Sequence, residues 1–294
     1  MKLATIRHRG REQVGLVDPA RGAVWPVEEL VGEPVPSMLE LIRSLPRLSG
    51  RLRPAGDGVP LSEVALLAPL RPPRNVMCVG RNYGEHAREF ARSGFDTSAT
   101  PGAADAVPSA PIIFTKAPEA VVGPGEAIRY PTGVSEQVDY EAELAVVIGT
   151  GGRGIRREDA LRHVFGYTIV NDVTARDLQA RHKQWFLGKS LDTFCPMGPG
   201  IATADELDPG AGVDVRCWVN GELRQHGNTR DFVFDIPTLI STISAGTTLV
   251  PGDVISTGTP AGVGIGFKPP RFLRPGDVVR IEIEGIGVLE NAIA

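Results

Sequence analysis

Apolar residues along this chain fall mostly into short runs bounded by turn residues, the pattern of strands rather than of long amphipathic helices. To about residue 70, the runs KLATIR, QVGLVD and AVWPV alternate with turns, and SMLELIRSL adds one helical stretch. The prolines of APLRPPRN then interrupt any regular pairing, which predicts a junction between a small N-terminal α/β domain (1–70) and a larger one (71–294). After it, VMCVG reads as a strand and the second half of RNYGEHAREFARSG as a helix. Residues 91–110, rich in Gly, Ala, Ser, Thr and Pro, read as a long loop. CWVNGELRQ predicts a hairpin on Asn220-Gly221, and VPGDVIST and RPGDVVRIEIEG each put a Pro-Gly turn ahead of a strand. Helical candidates are few, at 157–165, 174–183 and 235–244.

The run Leu144–Ile148 has no polar break, as expected of a strand buried on both faces. Two carboxylates lead into it, Glu141 and Glu143. Residues two apart in a strand share a face, so the pair either ends in water or holds something positive between its members.

Composition narrows the function classes. The chain has 294 residues, 42% hydrophobic and 22% charged, as in an ordinary soluble globular protein. A net charge of -4 offers no footprint for nucleic acid, and no basic amphipathic segment points to a membrane surface. The start, MKLATIRHRG, lacks the apolar core of a secretory signal. Cys78, Cys195 and Cys217 are odd in number and far apart, forming neither a disulfide framework nor a zinc pattern. We therefore expect a cytoplasmic protein with reduced thiols, in which any metal is hard and oxygen-bound. The 35 glycines and 25 prolines suit a turn-rich, mainly β fold of the α+β class.

One motif points elsewhere. AVVIGTGGRG places Gly149, Gly151 and Gly154 in dinucleotide spacing after a strand, with Asp172 at the end of the next strand. Three arginines interrupt the passage to a short helix, and no further βα units follow. Moreover, Glu141 and Glu143 begin their strand whereas Asp172 ends its own. If the three acids serve one site, the two strands are not parallel neighbours, and the glycines form a tight turn instead.

Spacing leaves the acids open between a solvated strand end with a helix-capping Asp172 and a site for a hard divalent cation. His86 and Glu89 are three apart, on one face if helical, so the carboxylate can orient the imidazole. Lys189 sits among apolar and aromatic residues, either snorkelling or placed as a cation. STGTPAGVG, 256–264, is a loop whose amides suit a carboxylate, or an ordinary turn.

The stretches VGRNYGEH, PIIFTKAP, DYEAELAVVIG, GYTIVNDVTARDLQ, QWFLGKSLDTFCPMGP, VNGELRQ and GDVISTGTPAGVG, in this order, resemble the fumarylacetoacetate hydrolase family over about 70–294. GFKPPRFLRPGD brings the likeness nearest to the domain-containing 2 subgroup. The resemblance implies a mixed, curled β-sheet roll or barrel with few helices, a homodimer, and Mg²⁺ (or Mn²⁺) on Glu141, Glu143 and Asp172. It implies catalytic roles for His86, Glu89 and Lys189, and substrate contacts from Arg176, Gln179 and Thr259. The expected reaction is hydrolytic C–C cleavage of an acylpyruvate-type 2-keto acid through a stabilised enolate, beneath a lid at about 85–110. The alternative is enolate chemistry without water attack: decarboxylation or tautomerisation of oxaloacetate, or isomerisation of an unsaturated keto-diacid. A metal-bound module without turnover and a nicotinamide enzyme are the rivals from other classes.

Overall fold

The computed structural model describes residues 1–95 and 106–294. Its organising element is the strand Ala142–Ile148, buried at every residue. Leu144, Val146 and Ile148 join one hydrophobic cluster, whereas Ala145 and Val147 join a second on the opposite face. Burial on both faces explains the unbroken apolar run.

This strand lies inside a mixed sheet of twelve strands. Val164–Asn171 and Val254–Ser256 flank it, both antiparallel, with Ala142 opposite Asn171 and Ala145 opposite Ser256. Beyond Val164–Asn171 come Cys195–Thr203, Lys2–His8, Arg11–Asp18, Ala23–Pro26 and Val59–Pro60. Beyond Val254–Ser256 come Val76–Gly80, in parallel, and then Ile112–Lys116. The N-terminal strands thus extend the same sheet, joined where Leu3 faces Ile201. The order of pairing stays open among the described residues, giving a curled sheet and not a closed barrel.

A second, antiparallel sheet of four strands spans Asp214–Val219, Glu222–Asn228, Val278–Ile283 and Gly287–Ala292. Alternate residues Val215, Cys217, Ile281, Ile283 and Leu289 share a core with Val146 and Ile148 of the main sheet. The predicted hairpin is present: Asn220 and Gly221 have φ of 52° and 80°, the pair of positive values that a two-residue turn of this hand requires.

The helices Met38–Leu48, Gly84–Ser93, Arg176–His182 and Ile236–Ser244 fall where the pattern placed them. Two short ones, Val27–Val31 and Phe186–Lys189, span too few residues to show a period. The stretch predicted as helix at 157–165 is a 3₁₀ segment, Arg157–His163. Together with Gly149, Gly151 and Gly154 it links two antiparallel neighbours, so it is no nucleotide crossover. A β-carbon on Gly151 would lie 2.6 Å from the Leu249 carbonyl oxygen, so close backbone packing accounts for that glycine. Of the lid expected at about 85–110, residues 96–105 lie outside the described residues. The part before them is the helix Gly84–Ser93. Among the described residues no helix is long and apolar enough to cross a membrane.

Four segments meet at one edge of the main sheet. They are the start of Ala142–Ile148, the end of Val164–Asn171, and the ends of the parallel strands Val76–Gly80 and Val254–Ser256.

Candidate metal centre and active site

The antiparallel register brings the three acids together. The Asp172 amide donates to the Glu141 carbonyl at 2.8 Å, and the Glu141 amide donates to Asn171 Oδ1 at 3.1 Å. One oxygen from each of Glu141, Glu143 and Asp172 lies within 4.8 Å of the others, and all three residues are buried. The capping alternative for Asp172 fails, because the helix Arg176–His182 has Ala175 at its N-cap and no side-chain cap.

Burial at this depth demands compensation. Lys189 Nζ bridges Glu141 Oε2 at 2.7 Å and Asp172 Oδ2 at 2.8 Å, so it is a placed cation, not a snorkelling one. Lys116, 0% exposed, donates to Asp172 Oδ1 at 2.7 Å and to the Val173 carbonyl at 3.0 Å. Arg176 places Nη2 2.7 Å from Glu141 Oε1, donates through Nε to Asp139 at 2.9 Å, and donates through Nη1 to Gln179 at 3.1 Å. Burial alone would raise the Glu141 carboxyl; the cations of Lys189 and Arg176 outweigh it and hold the group at about 2.

Glu143 is different. Its Oε2 accepts from Ser256 Oγ at 2.6 Å and from the Gly258 amide at 2.9 Å, and among the described residues it forms no ion pair. Burial, then the neighbouring Asp172 and Glu141, push its carboxyl well above the usual range. The donor set is three hard carboxylates, and one of them has no cationic partner among the described residues. That set fits an oxygen-preferring divalent cation.

A narrow cleft opens over the centre, lined by Glu141, Glu143, Lys189, Arg176, Gln179 and Thr259, with Val79, Phe90, Phe114 and Trp185 as apolar wall. His86 enters from the helix Gly84–Ser93 and lines the same cleft. Its Nδ1 stands 3.2 Å from Glu89 Oε2, as the helical spacing predicted. Thr259 Oγ1 donates to the Ala142 carbonyl at 3.0 Å and accepts from Gln225 at 2.7 Å. All nine residues singled out from the sequence therefore gather within or around one cleft.

The sequence reading missed Lys116 and Asp139. Asp139 had a visible signal, since it continues the two-residue spacing of Glu141 and Glu143 backwards onto the same face. It is buried and held by the amides of Tyr140, Gly264 and Ile265 at 2.9, 2.6 and 3.1 Å. The loop 256–264 does use amides to bind carboxylates, and those carboxylates belong to the chain itself: Glu143 on Gly258, Glu89 on Gly262, Asp139 on Gly264.

Comparison with known proteins follows the same outline. The family model described as fumarylacetoacetate (FAA) hydrolase C-terminal matches residues 75–294. Over 234 residues the chain is 52% identical to the oxaloacetate tautomerase YisK of Bacillus subtilis (strain 168), covering 79% of this chain and 74% of that one. Among solved structures, the fumarylacetoacetate hydrolase of psychrophilic Exiguobacterium antarcticum is 44% identical, with a TM-score of 0.81 over 100% of this chain and 99% of that one. Maleylpyruvate hydrolase of Sphingobium sp. SYK-6, in complex with manganese (II) ion and pyruvate, is 33% identical with a TM-score of 0.80 over 100% and 99%.

Proposed function

The chain belongs to the fumarylacetoacetate hydrolase family of enzymes, and from that premise we propose that it interconverts the enol and keto forms of oxaloacetate at a divalent cation held by Glu141, Glu143 and Asp172. The observation that carries this reading is the cleft itself, which sets the acids and Lys189 together with the His86–Glu89 pair, in a chain so close to an oxaloacetate tautomerase.

When bound, the cation supplies Lewis-acid polarisation of the substrate's carboxylate and 2-keto oxygens. Lys189, held between two ligands, adds positive charge where the 2-oxygen becomes negative. His86 takes the proton from C3 of the keto form, and the same proton or its equivalent returns to the 2-oxygen to give the enol. Glu89 fixes the imidazole through Nδ1, which leaves Nε2 for the transfer. Arg176, Gln179 and Thr259 line the same cleft and supply the polar contacts for the substrate.

Tautomerisation needs a proton shuttle and no attacking water. The tautomerase relative is also the more similar chain, 52% identical over 234 residues against 33% for maleylpyruvate hydrolase. The C–C hydrolase expected from the sequence is thereby the second reading, supported by the likeness to maleylpyruvate hydrolase. Manganese in that relative supports Mn²⁺ or Mg²⁺ as the ion. A homodimer and a cytoplasmic setting rest on the family likeness and on composition.

The test follows the ultraviolet absorbance of enol-oxaloacetate with and without Mg²⁺ or Mn²⁺. Metal-dependent acceleration above the spontaneous rate is expected. Unaccelerated enol loss, with cleavage of an acylpyruvate instead, would replace this reading by the hydrolytic one.

A further inference from the structure

Glu89 is anchored by more than His86. Its Oε1 and Oε2 accept from the Gly262 amide at 3.0 and 3.3 Å. The turn that follows, Gly264–Gly266, packs on the same helix, with Val263 and Ile265 buried against Phe90. At Gly266 the approach is closer still. A β-carbon built there would lie 2.8 Å from Glu89 Cγ and nearer yet to its Cδ and Oε1. Those three atoms are the nearest neighbours of the position, so Glu89 is what crowds it. Backbone conformation does not explain this glycine, because Gly266 is not among the residues with positive φ.

We infer that Gly266 is a positioning residue for proton transfer: its bare Cα leaves the space in which the Glu89 carboxylate sits between the Gly262 amide and His86. The inference rests on the reading of His86–Glu89 as the proton-transfer pair. The amides just before Gly266 set the other half of the site. Gly264 and Ile265 hold Asp139 at 2.6 and 3.1 Å, Asp139 holds Arg176 Nε, and Arg176 pairs with Glu141. One turn therefore registers the dyad against the acid centre.

Gly266→Ala asks little of the backbone, and the crowding is relieved by moving the end of one flexible side chain. Carbon needs about 3.5 Å from a non-bonded neighbour, so the carboxylate must shift by roughly an ångström or more. A displacement of that size at a catalytic group costs about 10²-fold in rate.

The experiment compares the parent, Gly266→Ala, Glu89→Ala and the double variant, in enol–keto conversion of oxaloacetate with Mg²⁺, alongside melting temperature with and without the metal. We expect Gly266→Ala to melt like the parent, keep its metal-induced shift and its KM, and lose about 10²-fold in kcat. In the double variant the methyl should cost nothing beyond Glu89→Ala, because the crowded side chain is gone. Parental turnover in Gly266→Ala beside a crippled Glu89→Ala would overturn the role of Gly266 and leave the dyad standing. Parental turnover in Glu89→Ala would remove the dyad, and this inference with it. Losses that multiply in the double variant would place the effect of the methyl elsewhere and overturn the assignment. If Gly266→Ala does not fold, the double variant decides: recovered folding supports crowding by Glu89, and failure to fold refutes it.

Discussion

Replacing Glu143 by glutamine should stabilise the metal-free protein while abolishing its response to metal. With oxygens within 4.8 Å of one another and an effective dielectric near 20, each like-charge pair in the triad repels by at least about 3.5 kcal/mol. Glu143 faces two such neighbours, opposed chiefly by Lys189. If Lys189 cancels one repulsion, about 3.5 kcal/mol remains, and charged hydrogen bonds from Ser256 and Gly258 recover about 1.5–2 kcal/mol of it. Glutamine keeps an acceptor for those donors and removes the charge, for a net gain of about 1.5–2 kcal/mol. At about 2 °C per kcal/mol for a chain of this size, the metal-free variant should melt about 3–4 °C above the parent. Mg²⁺ at a hundredfold above its Kd should add about 2.7 kcal/mol to the parent and nothing to the variant. The sign with pH is fixed. A carboxyl raised in the fold contributes stability below its ordinary value of 4.5 and loses it as pH rises through the raised value. The gap between variant and parent should therefore widen from pH 5 to pH 8 and close in acid. Differential scanning fluorimetry across that range is the assay. A variant less stable than the parent at pH 8 without metal, or one that still shifts with Mg²⁺, would refute the electrostatic account of the centre.

Lys189→Met removes one of two cations from each of Glu141 and Asp172, which keep Arg176 and Lys116, so metal-free stability should fall by about 1.5–3 kcal/mol in urea unfolding, with turnover abolished. His86→Ala should lose about 10²–10⁴ in enol–keto turnover while retaining the Mg²⁺-induced melting shift, which separates proton transfer from metal binding. Asp235→Ala removes the cap that accepts from the Thr238 amide at 2.9 Å. It should cost about 1 kcal/mol in stability with no change in activity, since the helix Ile236–Ser244 carries none of the residues assigned to the site.

The parts of the molecule legible in sequence were those governed by local pattern. Leu144–Ile148 announced its burial because both faces are covered, and Asn220-Gly221 announced its hairpin because few other pairs tolerate two positive φ values. The antiparallel pairing followed from where the acids sit on their strands, given that they act together. What escaped was the counter-charge. Lys116 and Asp172 are 56 positions apart, and Asp139 and Arg176 are 37 apart. Nothing in either neighbourhood says which buried cation serves which acid, because topology chooses the partner. The same holds for the loop at 256–264: its small residues signalled free amides, and only the fold shows that the carboxylates they bind are internal. The helix expected at 157–165 is the 3₁₀ segment Arg157–His163 within the connection between two adjacent strands.

The one loop, Gly262–Gly266, that holds both Glu89 and Asp139 also bears on how the enzyme comes into being. Glu89 and the Gly262 amide are separated by 173 positions, and Gly264 lies 125 from Asp139. No early fragment of the chain holds these contacts, and the entropy of closing such long loops falls on the last steps of folding. A nascent chain that has reached Asn171 can already pair Ala142–Ile148 with Val164–Asn171 and still lack a seated base. Recovery of turnover during refolding should therefore lag the recovery of sheet signal, making activity a clock for completion of the whole molecule.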